Sequence, residues 1–273
     1  MSCHYLRPAW FITDPETGKR EVTFAKRTDQ LYPDTHLPCQ KCSGCRAAAA
    51  QDWAVRLYHE SLYHEQSSFI TLTYENAPDA ISRRDIKTFI QRLKRQLPDT
   101  RYFLTGEYGD QTHRPHYHAV LFGSDFRGGA YTIRDGLWGN VILDRLWTHG
   151  NCSVGDFSIA SASYVSGYVT KKIDDPDTFS SMSRKPPIGW KFAMQNQDLL
   201  DRNGKYVIDG REYPVPKVYF DWSDSSTYRP GSINLEHAAG MRSGFIKHRT
   251  EQETRSRQIN LENRGNIKAR KSI

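Results

Sequence analysis

The chain has 273 residues, 37% of them hydrophobic and 12% aromatic, and a formal net charge of +7. That length allows one large domain or one domain with additions, and the aromatic share supplies large side chains for a core. No apolar run is long enough to span a bilayer, and no basic region followed by an apolar run marks a secretory leader; a membrane protein, a collagen-like fibre and a disulfide miniprotein are excluded.

The charge is uneven. Residues 241–273 carry nine Lys and Arg against three Glu, so the excess sits in a terminal arm that reads as a flexible, basic tail. A basic arm favours a polyanionic partner. The five cysteines include Cys39, Cys42 and Cys45 in C-x-x-C-x-x-C. An odd count with this spacing points to reduced thiols or a metal site rather than to disulfides.

In chain order, residues 1–38 read as irregular, broken by Pro8, Pro15, Gly18, Pro33 and Pro38. Arg46 to about Gln66, alanine-rich at its start, predicts a helix with Trp53, Leu57 and Tyr58 inward. Ser68 to Tyr74 is rich in strand formers. Ser82 and Asp85 resemble a capping box, and Ile86, Phe89, Ile90, Leu93 and Leu97 keep helical spacing up to Pro98. The opposite face of this helix carries Arg83, Arg84, Lys87, Arg92, Lys94 and Arg95. Arg101–Tyr108 and His116–Phe122 read as two strands joined by a hairpin loop. Residues 123–137 read as a Gly-rich insertion, Val141–Trp147 as a short helix, Asn151–Phe157 as a strand and Ile159–Lys172 as a helix. A hairpin is expected around Asn203-Gly204. The order strand, helix, strand, strand implies an α+β fold with an antiparallel sheet and helices on one face.

His116 and His118 lie two apart on one strand and therefore share a face. If Tyr108 pairs with Pro115, Glu107 stands opposite His116, with Cβ atoms about 5 Å apart. Two imidazoles and one carboxylate can then hold one divalent ion. Bare histidines satisfied by hydrogen bonds are the plainer alternative, and two His with one carboxylate is also the facial triad of iron oxygenases. His113 reads as incidental. Tyr164 and Tyr168 lie at i, i+4 on one helical face. Lys171 follows at i+3 from Tyr168, with Lys172 as the alternative cation. A phenol needs a nearby cation to act as a nucleophile, because its free pKa is about 10; half-buried amphipathic tyrosines are the alternative. Four thiolates would close a structural zinc site. Cys3 is the first candidate to join Cys39, Cys42 and Cys45, with His36 and His4 as rivals. Cys152 reads as a small buried apolar residue.

His116-Tyr117-His118 resembles the signature of the HUH endonucleases, and Tyr164/Tyr168 followed by Lys171-Lys172 resembles the two-tyrosine replication initiators of small single-stranded DNA phages. Thr105-Gly-Glu-Tyr-Gly-Asp, Arg114-Pro-His-Tyr-His118 and Pro38-Cys-Gln-Lys-Cys-Ser-Gly-Cys-Arg46 are similar to gokushovirus-like microviruses in particular. The resemblance runs over about residues 1–240. It implies an HUH-type α+β core over 67–175, preceded by a Cys-rich segment and helix over 1–66 and followed by an accessory part over 176–240 of the same domain. It implies rolling-circle initiation: metal-dependent nicking of single-stranded origin DNA, a 5′-phosphotyrosine intermediate and later rejoining. His116, His118 and Glu107 match the metal ligands, Tyr164 and Tyr168 the nucleophiles, and Lys171 the assisting cation. Thr71 and Thr73 resemble the family's first motif. Position 167 is Gly where the family often has a basic residue, so Tyr168-x-x-Lys171 is the better match.

Mg2+ or Mn2+ is the expected catalytic ion and Zn2+ the structural one. The expected partners are origin DNA and the host replication helicase and polymerase, without a membrane, in the cytoplasm of the infected bacterium. A non-catalytic, zinc-stabilised DNA-binding protein is the alternative.

Overall fold

A computed structural model describes residues 3–18, 20–109, 111–169, 177–196 and 205–223. Lys171, Lys172, Asn203-Gly204 and the basic tail lie outside the described residues. The chain divides into two compact units, whose described parts are residues 3–48 and 49–223.

The first unit corrects the expectation of an irregular segment over 1–38. It holds a three-stranded antiparallel sheet of β1 (Leu6–Thr13), β2 (Arg20–Thr23) and β3 (Thr35–Pro38), with β1 central. β1 pairs with β2 through Trp10–Thr13 and with β3 through Leu6–Ala9. Pro8 thus has a neighbouring strand on one side only, where its missing N–H removes no second ladder bond. Helix α1 (Ser43–Ser61) begins three residues earlier than its alanine run suggests, inside the cysteine segment.

The second unit is built on a seven-stranded sheet. Its strands are β4 (Ser67–Tyr74), β5 (Arg101–Tyr108), β6 (Pro115–Phe122), β7 (Ala130–Arg134), β8 (Leu137–Asn140), β9 (Gly150–Asp156) and β10 (Phe179–Met182). Their spatial order is β10-β5-β6-β4-β9-β8-β7, and every pair is antiparallel. β6 lies between β5 and β4, which explains why it is apolar on both faces. β7 and β8 replace the expected Gly-rich insertion with a hairpin; the alternation there is masked because β7 is exposed throughout.

Helices cover both faces of this sheet, not one. On the Tyr117 side, Ile70, Leu72, Tyr117, Ala119 and Leu121 pack against α2 (Arg83–Gln96) and α3 (Val141–Leu146). On the other side, Phe103, Val120 and Phe122 pack against Ala54 and Leu57 of α1 and Ala162 and Val165 of α4 (Ile159–Gly167). The α+β class stands. Ser82 caps α2 by accepting from the Asp85 N–H at 3.2 Å, as its sequence suggests. Tyr117 binds this same cap: its hydroxyl donates to the Ser82 carbonyl at 2.7 Å and accepts from the Ser82 N–H at 3.0 Å. Gly106 is required by packing, since a Cβ there would lie 2.8 Å from the Phe179 ring and 3.0 Å from Tyr117.

A third cluster joins Val55 of α1 to α5 (Trp190–Gln195), the hairpin β11 (Lys205–Ile208) and β12 (Arg211–Pro214), and α6 (Lys217–Ser223). That hairpin turns at Asp209-Gly210, both at positive φ, rather than at Asn203-Gly204. His59 of α1 is buried there, stacked on Phe192 with centroids 3.6 Å apart. Burial pushes its pKa down to about 3.

Candidate metal centre and tyrosine pair

The register of two strand pairs creates the site. β5 meets β6 with Glu107 opposite His116 and Thr105 opposite His118. β4 meets β6 with Thr73 opposite His116 and Thr71 opposite His118. β4 alternates strictly, so Ile70, Leu72 and Tyr74 enter the core while Phe69, Thr71 and Thr73 share the histidine face. A slip of one residue in either pair would turn these groups to opposite faces.

Glu107 Oε1 lies 3.1 Å from His116 Nε2 and 3.4 Å from His118 Nε2. Donors at right angles around an ion at about 2.1 Å stand about 3.0 Å apart. The three groups offer one ligand atom each, all within 4.8 Å of one another. They fit a divalent cation with coordination positions left over, and the mixed imidazole and carboxylate set suits manganese better than magnesium.

The outer faces of both imidazoles are anchored. His116 Nδ1 is 3.1 Å from the Arg114 carbonyl, which can only accept, so the ring carries its proton there and presents the Nε2 lone pair. The Arg114 guanidinium donates to the carbonyls of Tyr74 at 2.7 Å and Glu75 at 3.0 Å, tying the hairpin loop to the end of β4. His118 Nδ1 is 3.0 Å from the Thr71 hydroxyl. Such outer hydrogen bonds orient metal-binding histidines. Arg114 and Thr71 stand within the sequence motifs, but their contacts cross between strands and depend on a register that spacing alone does not supply.

Both tyrosines reach this centre. α4 begins at Ser158, which forms a capping box with Ser161. Ala162 and Val165 anchor its inner side, fully buried. Tyr164 is 51% exposed, while Tyr168, at the C-cap, is half-buried. The Tyr168 ring stacks on His118, with centroids 5.4 Å apart and planes 12° apart. Tyr164 meets His118 edge-on at 5.2 Å and Tyr168 at 5.0 Å. Burial, a hydrogen bond with Tyr164 and the Glu107 charge raise the Tyr168 phenol well above its ordinary value. Phe69, which no sequence motif singles out, stacks on the other side of the cluster, 5.6 Å from His118 and 5.9 Å from Tyr164. Its place follows from the two-residue alternation that places Thr71.

A second ligand cluster lies in the first unit. The sulfurs of Cys3, Cys39, Cys42 and Cys45 come within 4.8 Å of one another. Cys39 and Cys45 are 4.0 Å apart, and Cys42 and Cys3 3.9 Å. Four sulfurs at about 2.3 Å from a tetrahedral centre would be about 3.8 Å apart. Cys3 is thus the fourth member; among the described residues His4 and His36 stand outside the cluster. The backbone N–H of His4 instead donates to Cys42 Sγ at 3.4 Å, and that of Cys39 to Cys3 Sγ at 3.2 Å. Burial pushes the Cys39 thiol up, but the N–H groups of Cys42 and Lys41 outweigh it and hold the pKa at about 7. Cys152 is buried in the sheet core, as its sequence context suggests.

Comparison with known proteins agrees with this geometry. Residues 67–173, which include the triad and both tyrosines, match the family of replication-associated proteins described under ORF2. The chain is 34% identical over 228 residues to the replication-associated protein VP4 of Bdellovibrio phage phiMH2K, covering 74% of this chain and 71% of that protein. It is 31% identical to the replication-associated protein ORF4 of Chlamydia phage 1, over 77% of this chain and 59% of that one. It is 28% identical to the replication-associated protein ORF2 of Spiroplasma virus 4, over 81% and 78%. No solved structure gives a significant match. No helix among the described residues is long and apolar enough to cross a membrane.

Proposed function

Since the chain belongs to the family of phage replication-associated proteins, we propose that it initiates rolling-circle replication as an HUH-type endonuclease and strand transferase. The observation that carries this reading is the stacking of Tyr168 on His118, which puts a phenol beside the ligand triad. An iron oxygenase would leave both tyrosines without a task.

A divalent ion held by Glu107, His116 and His118 would polarise the scissile phosphate and offset the Glu107 charge that keeps the Tyr168 phenol protonated. The chain's own groups do the rest. His116 and His118 present Nε2 because Arg114 and Thr71 occupy Nδ1. The Tyr168 oxygen loses its proton and attacks phosphorus; the phosphorus–O3′ bond breaks, and the departing 3′ oxygen takes up a proton. The products are a 5′-phosphotyrosine and a 3′-hydroxyl that can prime synthesis. Tyr164, one turn away, makes the second cut at the regenerated origin. The 3′-hydroxyl released there attacks the first phosphotyrosine and closes the circle, returning the phenol. Lys171, by its resemblance to the family, assists by facing the developing phenolate. The host helicase and polymerase would extend the primer, in the cytoplasm of the infected bacterium. The Cys3, Cys39, Cys42 and Cys45 cluster holds a structural zinc.

Covalent capture tests the reading. With Mn2+ and a labelled single strand bearing the phage origin, the protein should carry label through a denaturing gel, and EDTA should abolish the adduct. Origin binding without any adduct would support the non-catalytic, zinc-stabilised DNA-binding protein instead.

A further inference from the structure

The outer face of α2 is basic, and nothing in the mechanism uses it. Ile86, Phe89, Ile90 and Leu93 fix the inner face, while Arg84, Lys87, Gln91, Lys94 and Arg95 are exposed. At about 100° per residue these five fall within roughly a third of the helix circumference. The single acid of the helix, Asp85, is turned away, accepting from the Tyr74 hydroxyl at 2.9 Å. Among the described residues, no ion pair engages Arg84, Lys87, Lys94 or Arg95. Like charges one turn apart repel, so the row is relieved by an external anion. On α1 the contrast is clear: Glu60 pairs with Arg101.

The row is also held rigidly. Tyr117 grips the Ser82 cap, and Arg92 donates to the Leu146 carbonyl at 3.2 Å and to Thr148 at 3.1 Å. From Arg84 to Arg95 the helix rises about 16 Å, enough to follow several phosphates of one strand. No exposed aromatic ring lies on this arc; Phe89 is buried beneath it. Single-strand grooves add stacking platforms to charge, so a row of cations alone suits the backbone of a duplex. Finally, α2 packs on the Tyr117 face of the sheet, while the triad and tyrosines lie on the other face.

We propose that the outer face of α2 binds the phosphate backbone of double-stranded DNA flanking the single-stranded stretch engaged at the triad. This rests on the reading that the chain acts on origin DNA, and adds a second binding surface to it.

The test compares full-length wild type with the Arg84→Gln/Lys87→Gln/Lys94→Gln variant; glutamine keeps helix propensity. Arg134→Gln/Arg184→Gln/Arg211→Gln removes equal charge from exposed positions elsewhere. Binding is measured in EDTA at several salt concentrations, with a single-stranded origin oligonucleotide and with the same oligonucleotide extended by a hairpin stem. For the stem-bearing probe, the dependence of log K on log salt should flatten by about 2.7, at about 0.9 for each phosphate no longer neutralised. The bare strand should bind the α2 variant as it binds wild type, the control variant should keep the wild-type slope, and adduct formation on the bare strand should persist. An unchanged slope with the stem, or an equal weakening on the bare strand, overturns the proposal. Absence of an adduct in wild type would overturn the nuclease reading while leaving the slope comparison intact.

Discussion

The two ligand clusters of this chain differ in what they leave open. Cys3, Cys39, Cys42 and Cys45 offer four thiolates with sulfur spacings of 3.9 and 4.0 Å, a full tetrahedral set. Glu107, His116 and His118 offer three donors of mixed hardness on the strands of a sheet, with two aromatic hydroxyls alongside. A complete thiolate shell excludes substrate and serves folding; an incomplete one leaves room for a phosphate. The first is fixed by short-range spacing plus one distant residue. The second exists only because three strands keep register.

The largest effect expected from this contrast is on the open centre. His118→Ala should abolish adduct formation, exceeding the roughly 10–100-fold effect of removing an outer hydrogen bond in metal sites. Its far-ultraviolet circular dichroism should match wild type. If the variant still cleaves, the triad is not the ion site. The closed cluster should behave in the opposite way. Purified protein should hold about one zinc per chain, and Cys42→Ser should lose it and melt at a lower temperature. In whatever folded fraction remains, adduct formation should survive. Zinc-free wild type, with melting unchanged in Cys42→Ser, would reduce the cluster to plain thiols.

His59 sharpens the comparison by being a histidine that packing alone explains. Its pKa is about 3 when folded and about 6.5 when unfolded. Between these values the unfolded chain binds more protons, so stability rises with pH across that window and falls as pH drops from about 6.5 toward 3, by up to about 1.4 kcal/mol per unit. The contribution is fully present above the unfolded value. His59→Phe should flatten that slope in denaturant titrations at several pH values; an unchanged slope would place the titration elsewhere. The smallest effect is expected at Thr71. Thr71→Val keeps shape but removes the hydroxyl on His118, and should weaken Mn2+ binding about tenfold, while Thr71→Ser restores it. Equal affinity in all three forms would make Thr71 a strand residue only.

Much of this was legible in the chain. The period of two in Ser67–Tyr74 and the two-sided apolarity of Pro115–Phe122 already define central strands. The Glu107–His116 pairing followed from counting inward from a hairpin loop, and the structure has that register. What spacing could not supply were contacts between strands distant in sequence: Thr71 on His118, Arg114 on Tyr74 and Glu75, Phe69 against both rings. The N-terminal sheet was hidden for another reason. Two of its strands have only four residues, and the third contains a proline made harmless by one-sided pairing. Helices on both faces were likewise invisible, because the Ala-rich start of α1 carries little periodicity, although Ala54 and Leu57 are buried.

The central claim is that a tyrosine beside the open centre becomes covalently joined to DNA. Mass spectrometric mapping of the adduct tests it most directly, using wild type, Tyr168→Phe, Tyr164→Phe and the double variant with Mn2+ and a single-stranded origin oligonucleotide. The modified peptide should carry the nucleotide on Tyr168 in wild type. Tyr168→Phe should lose most of the first adduct, Tyr164→Phe should keep it but fail at the second cut, and the double variant should bind DNA without joining to it. A modification confined to Tyr164 would reverse the two roles, and a stable adduct in the double variant would remove this helix from the chemistry.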